Sequence, residues 1–234
     1  MASETLRDLN PFDILDTEYA RLDVYFTVLD ESDWAKPSRC DGWTVRDVLA
    51  HLAGEELYNH ACLDDDLEGL FALLDEKGVK DLSSFNDWTV DERRDLPVAE
   101  VLAEWRTKSG ETRRRMRELG ADATMATMVG QYPVGLQAFH LASEFATHAD
   151  DVGVPVTPEE EPARTAWRGR LGVFVLGEQE AEVQVKQIPG GYRVTLDDKF
   201  ADLSAVDFVD ATTRRLPPDY PLDPDLCRAL VCLA

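Results

Sequence analysis

The sequence predicts an α+β protein: a bundle of four main antiparallel helices, then a small C-terminal α/β domain with an antiparallel sheet. Three observations carry this expectation. Apolar residues recur with helical spacing in four long segments before residue 153. A Pro- and Glu-rich stretch, VPVTPEEEPART, then breaks the pattern. Beyond it, LGVFVL, AEVQVKQI and GYRVTL are β-rich runs, the second strictly alternating. The expected domains are residues 1–155 for the bundle and 165–234 for the α/β part.

The first helix is expected over 11–30, where Ile14, Leu15, Tyr19, Leu22, Tyr25, Phe26 and Leu29 form one apolar stripe and Pro11 is acceptable in the first turn. After a loop through Pro37 and Gly42, Thr44 with Asp47 three residues on is a capping box, and a second helix should run to about Asp65. A shorter helix is expected over 67–77. Residues 78–96 are polar and irregular and read as a loop with at most a turn of helix. Pro97 then opens a long helix to about Leu119, with Val98, Val101, Leu102 and Trp105 inward. The basic run RRRMRE at its end reads as dipole complementation or ion pairing rather than as a binding patch. The last bundle helix should start near Pro133 and end near Asp151, before Gly153 and Pro155. In the C-terminal part the three β-rich runs are joined by GEQE and by the turn signal PGG, and helices are expected over ADLSAVDFVDATTRRL and DPDLCRALVCLA.

Composition limits the function. The chain has 234 residues, 44% of them hydrophobic, enough for a sizeable core. Its formal charge of −22 repels phosphate backbones and anionic lipid, so neither nucleic acid nor a membrane surface is expected as a partner. No apolar run is long enough to span a bilayer and the N-terminal segment lacks the regions of a secretory signal, which points to the cytoplasm. Cys40, Cys62, Cys227 and Cys232 show neither a C-x-x-C pair nor finger spacing, so all four read as idle or packed thiols.

The segment PVGLQAFHLASEFATHADD carries the chemistry. His140, Glu144, Thr147, His148 and Asp151 fall on a single helical face, with apolar residues elsewhere, and the stripe contains two of the chain's four histidines. Glu144 and His148 stand one turn apart and can reach one divalent cation. His51, on the shoulder of the second helix's apolar stripe, would complete a set of two imidazoles and a carboxylate with open coordination positions. Spacing alone leaves the alternative of a helix-surface pair and a hydrogen-bonded core histidine.

The stretch PSRCDGWTVRDVLAHLAGEE resembles the N-terminal signature of the mycothiol-dependent maleylpyruvate isomerase family, within the DinB-like group of metal-binding four-helix bundles. EFATHADD is similar to that family's second motif. The resemblance covers roughly residues 10–155. It implies a DinB-like bundle in which His51, Glu144 and His148 hold a divalent metal, usually zinc, with mycothiol as thiol cosubstrate. It also implies a small α/β domain after the bundle. The chain departs from the family where members often carry an Arg before the Glu and a Trp between the Glu and His; here Leu141, Ser143, Ala146 and Thr147 stand instead, which implies a remodelled pocket. Maleylpyruvate isomerisation itself is therefore not carried over. His140 and Glu55, each one turn from a ligand position, are candidates to orient the ligands or are solvated helix residues. Arg214 and Arg215 could hold an anionic group or form a surface pair.

The expected function is a metal-dependent enzyme that uses a low-molecular-weight thiol as nucleophile on a small electrophilic substrate, as S-transferase or isomerase. The alternatives are a hydrolase using metal-activated water, and a metal- or small-molecule-binding protein without catalysis. The sequence assigns no catalytic residue beyond the metal set, and it names neither the substrate nor the oligomeric state.

Overall fold

The computed structural model of the chain describes residues 5–233. These fall into two compact units, residues 10–154 on the one hand and residues 5–9 with 155–233 on the other.

In the first unit α1 (Pro11–Val28) starts at Asn10, whose side-chain oxygen accepts the free Phe12 and Asp13 amides. A single turn, α2 (Glu31–Trp34), leads to the loop before α3 (Val45–Asp64). The expected capping box at α3 is present: Asp47 N lies 3.3 Å from Thr44 Oγ1, and Thr44 N donates to Asp47 Oδ2 at 2.9 Å. Then come α4 (Leu67–Glu76), α5 (Leu82–Asp91) and α6 (Val98–Leu119). A hairpin, β1 (Thr124–Thr127) with β2 (Gly130–Pro133), delivers the chain to α7 (Val134–Asp151).

The helix α5 corrects the expectation of a loop over 78–96. Asp81 caps it with Ser84 in a reciprocal box, and Phe85, Thr89 and Val90 are buried as it packs on α3. Tertiary burial of one face outweighs the indifferent propensity of Ser, Asn and Asp.

The four long helices pack as α1 with α7 and α3 with α6, and α6 also touches α1 and α7. Among the described residues α3 and α7 are not packed backbone to backbone in this way. Their facing sides are instead spanned by long polar side chains. The apolar centre is aromatic: Trp105 is fully buried, with ring centroids of Tyr19, Phe26 and Phe145 at 4.7, 5.6 and 6.0 Å. The basic run near the end of α6 forms ion pairs. Arg117 reaches Asp13 and Asp16 of α1 at 2.9 and 2.7 Å, Arg113 also reaches Asp16, and Arg115 reaches Asp64 of α3 at 2.7 Å.

In the second unit α8 (Glu161–Glu178) precedes a three-stranded antiparallel sheet of β3 (Gln184–Ile188), β4 (Gly191–Leu196) and β5 (Lys199–Ser204), followed by α9 (Ala205–Thr212) and α10 (Pro224–Leu230). Two expectations are corrected here. LGVFVL lies inside α8, where Leu171, Gly172, Phe174, Val175 and Leu176 are all buried. A helix buried on most of its circumference shows the same unbroken apolar run as a buried strand. ADLS, expected at the start of a helix, belongs to β5, and Ser204 caps α9 instead. The glycines of α8 permit its close approach: a Cβ on Gly169 would stand 2.5 Å from the Tyr192 hydroxyl, and one on Gly172 would stand 2.9 Å from Thr212. The core of this unit joins Leu176, Tyr192, Val194, Leu203, Phe208, Leu226 and Leu230. Among the described residues no helix is long and apolar enough to cross a membrane.

Candidate metal centre

The open side between α3 and α7 holds the polar cluster. His51 lies in the second turn of α3, on the face that Val48, Leu49 and Leu52 bury, so its backbone is fixed by the core. Glu144 and His148 lie one turn apart on α7, whose other faces bury Phe139, Leu141, Phe145 and Ala149. The stripe that the helical pattern singled out thus faces inward, with Thr147, His148 and Asp151 all buried.

Two imidazoles aim at one carboxylate oxygen. His51 Nε2 is 3.1 Å and His148 Nε2 is 2.9 Å from Glu144 Oε1, and the two rings meet edge to face at 4.8 Å. These separations are close to the roughly 3.3 Å edge of a tetrahedron whose metal–ligand bonds are about 2.0–2.1 Å. The donor set also fits a zinc-type cation in its chemistry, since two imidazoles and a carboxylate leave a position open. Both histidine side chains are only 6% exposed while Glu144 is 30% exposed, so the cluster opens to solvent on the carboxylate's side.

The electrostatics follow from burial and proximity. Burial presses His51 below the ordinary imidazole value, with Glu144 opposing it. Burial disfavours charge on His148 as well, but Glu144 and then Asp151 outweigh it and raise His148 well above the usual value. Burial would lift Glu144, yet the His148 and His51 imidazoles hold it well below the usual carboxylate range. Glu55 is raised well above that range by burial, with Glu144 and Glu56 adding to the effect, and its Oε2 has no hydrogen-bond partner among the described residues.

The neighbours of the three converging side chains are as follows. His140 is bonded to the Tyr132 hydroxyl at 3.2 Å. Asp151 accepts from His148, with Oδ2 3.0 Å from Nδ1, and the same oxygen is 3.2 Å from Cys40 Sγ. Sequence reasoning placed Asp151 on the stripe without a partner and left Cys40 idle; their pairing across 111 residues has no local signal. His51 Nδ1 has no partner among the described residues, and its ring is flanked by Trp43 at 5.2 Å. The loop carrying Cys40 and Trp43 curls around an open recess of about 510 Å³, which Arg39 also lines. Arg214 and Arg215 belong to the second unit, where Arg214 is exposed at a φ of 58° and Arg215 Nη1 donates to Thr213 O at 3.0 Å.

The model of the mycothiol maleylpyruvate isomerase N-terminal domain family matches residues 15–153 of the chain. No curated protein matches it. Among solved structures, a crystal structure of the mycothiol-dependent maleylpyruvate isomerase is similar over 88% of each chain, with a TM-score of 0.62 at 13% identity. A histidine-to-alanine mutant of the mycothiol-dependent maleylpyruvate isomerase is similar over 71% of this chain and 68% of its own, with a TM-score of 0.53 at 13% identity. At that identity the likeness is one of fold.

Proposed function

Because the chain belongs to the mycothiol maleylpyruvate isomerase N-terminal domain family, we propose that it is a metal-dependent enzyme that turns a low-molecular-weight thiol, mycothiol, on a small electrophile. The observation that carries the metal site is the convergence of two buried imidazole Nε2 atoms on one carboxylate oxygen. A zinc-type cation held by His51, Glu144 and His148 would favour a thiolate over a thiol whose free pKa is about 8.5, giving a nucleophile at neutral pH.

The chain's own residues supply the rest. Asp151 keeps the His148 proton on Nδ1, leaving the Nε2 lone pair for coordination. Glu144 brings negative charge that offsets the cation, and its exposed side is the approach for thiol and electrophile. Trp43 offers an apolar wall beside His51, and the adjoining recess falls within the size range of small-molecule sites. As a transferase the thiol adds across an activated double bond, whose π bond breaks; the new sulfur–carbon bond persists and the thiol proton goes to the neighbouring carbon. As an isomerase the addition reverses and the thiol is regenerated. The charge of −22 supports a small-molecule substrate over nucleic acid or an anionic membrane.

Two measurements test this. Protein purified without chelators should contain about one divalent cation per chain, as one three-ligand site requires. With the cation held constant, turnover should rise with mycothiol and saturate, while glutathione substitutes poorly. A rate that is flat or falls as thiol is added would remove the thiol reading in favour of hydrolysis. Absence of any bound cation after reconstitution with zinc would remove the ligand set itself.

A further inference from the structure

Resting on that ligand set, we infer that Cys40 is a positioning residue for His148: its thiol holds Asp151 in the pose in which the carboxylate fixes the imidazole. One oxygen is shared. Asp151 Oδ2 lies 3.0 Å from His148 Nδ1 and 3.2 Å from Cys40 Sγ, and the two donors are 3.7 Å apart. The Asp151 side chain is 0% exposed, so its carboxylate takes its orientation from protein donors and not from water.

The sulfur is placed by backbone. Ser38 N and Oγ both donate to Trp43 O, at 2.9 and 2.8 Å, and Trp43 N donates to Cys40 O at 3.0 Å. Cys40 N donates to Ser38 Oγ at 3.1 Å, which closes the turn on itself. Arg39 N donates to Asp151 O at 2.9 Å, which fastens the turn to the last residue of α7. The thiol is therefore presented to Asp151 by a segment with little freedom to drift.

The two imidazoles are supported unequally. His51 Nδ1 has no partner among the described residues, so that ring is held by packing and by its Nε2 contact with Glu144, with no partner behind it. His148 has Asp151, and Asp151 has Cys40. His148 is thus backed by a relay in which a proton donor (S–H) and a carboxylate stand behind the ligand.

Cys40, His148 and Asp151 also lie close enough to hold a cation of their own. That arrangement would strip the proton from Nδ1 while Nε2 also coordinates, making an imidazolate. A hydrogen-bonded relay needs no such loss.

The test compares wild type, Cys40→Ala, Cys40→Ser and, as a thiol control, Cys227→Ala. Zinc affinity is measured by chelator competition, and cobalt(II)-loaded protein by visible absorption. Cys40→Ala should bind zinc about 10-fold more weakly, the lower end for loss of an outer partner, and should shift the cobalt ligand-field bands. Cys40→Ser keeps a donor and should recover most of the affinity and the wild-type spectrum; Cys227→Ala should match wild type. Equal affinity in wild type and Cys40→Ala would overturn the inference while leaving the ligand set intact. So would a Cys40→Ser protein as weak as Cys40→Ala, which would indicate loop packing alone. A sulfur-to-cobalt charge-transfer band in wild type, or two cations per chain, would overturn it by making Cys40 a ligand. A wild type that binds neither zinc nor cobalt would overturn the ligand set and this inference with it.

Discussion

Replacing His148 by alanine is expected to abolish both metal binding and turnover. The imidazole is one of three converging donors, so its removal should weaken zinc binding by more than the ~100-fold that the loss of an outer partner can cost. The variant also leaves Glu144 and the fully buried Asp151 without their shared cationic or hydrogen-bonding partner. Breaking a buried ion pair from one side costs about 3–5 kcal/mol, so some loss of stability should accompany the loss of metal. Glu144→Gln separates the two effects. It keeps the side chain's shape, removes the charge, and should fold while failing to retain zinc. His60→Ala is the matched control: His60 lies on α3 but bonds Lys108 O of α6 at 3.1 Å. It should cost about 1 kcal/mol for the lost hydrogen bond and leave metal content and rate unchanged. Metal analysis and circular dichroism on the same preparations decide the matter, and equal metal loss in the His148 and His60 variants would refute the assignment.

Trp105→Ala is expected to unfold the first unit or leave it barely folded. The indole is fully buried at the meeting point of Tyr19, Phe26 and Phe145, which come from α1 and α7 while Trp105 itself comes from α6. Truncating a buried Trp to Ala costs about 3–5 kcal/mol, a large share of the roughly 5–15 kcal/mol that holds a domain together. Trp105→Phe should cost much less. The indole N–H has no hydrogen-bond partner among the described residues, so removing it gives up no bond. Urea denaturation followed by circular dichroism would show the ordering. A Trp105→Ala midpoint close to wild type would mean that the aromatic cluster is not the centre of this unit.

The fold was legible in the sequence where the local and tertiary signals agree. α1, α3 and α7 each combine a 3.6-residue stripe with a capping residue or a proline at the start, and each lies within a residue or two of its expected bounds. The strand GYRVTL likewise follows its turn, as expected. Legibility fails where burial is unlike the usual half-exposed element. α5 has its apolar residues set among Ser, Asn, Asp and Thr and is held by its cap and by α3, while α8 is buried so widely that its apolar run has lost its period. The site divides in the same way. Glu144 and His148 share a helix, so their spacing is a local fact. The family-like motif around His51 joined it to them across 93 residues. Cys40 lies in the same motif but was read as an idle or packed thiol, because its contact with Asp151 depends on where a turn of the chain folds back onto the end of α7.

The side of the bundle spanned by His51, Glu144 and His148 has a further consequence. Helix pairs such as α1 with α7 are joined by interlocked apolar side chains, but α3 and α7 meet through charged and polar groups. Such a seam breathes more readily than its neighbours, because parting it exposes little hydrophobic surface. Amide hydrogen exchange near His51 and His148 should therefore proceed through an opening that leaves both helix pairs assembled. A bound cation would latch that seam, slowing exchange there in proportion to its occupancy.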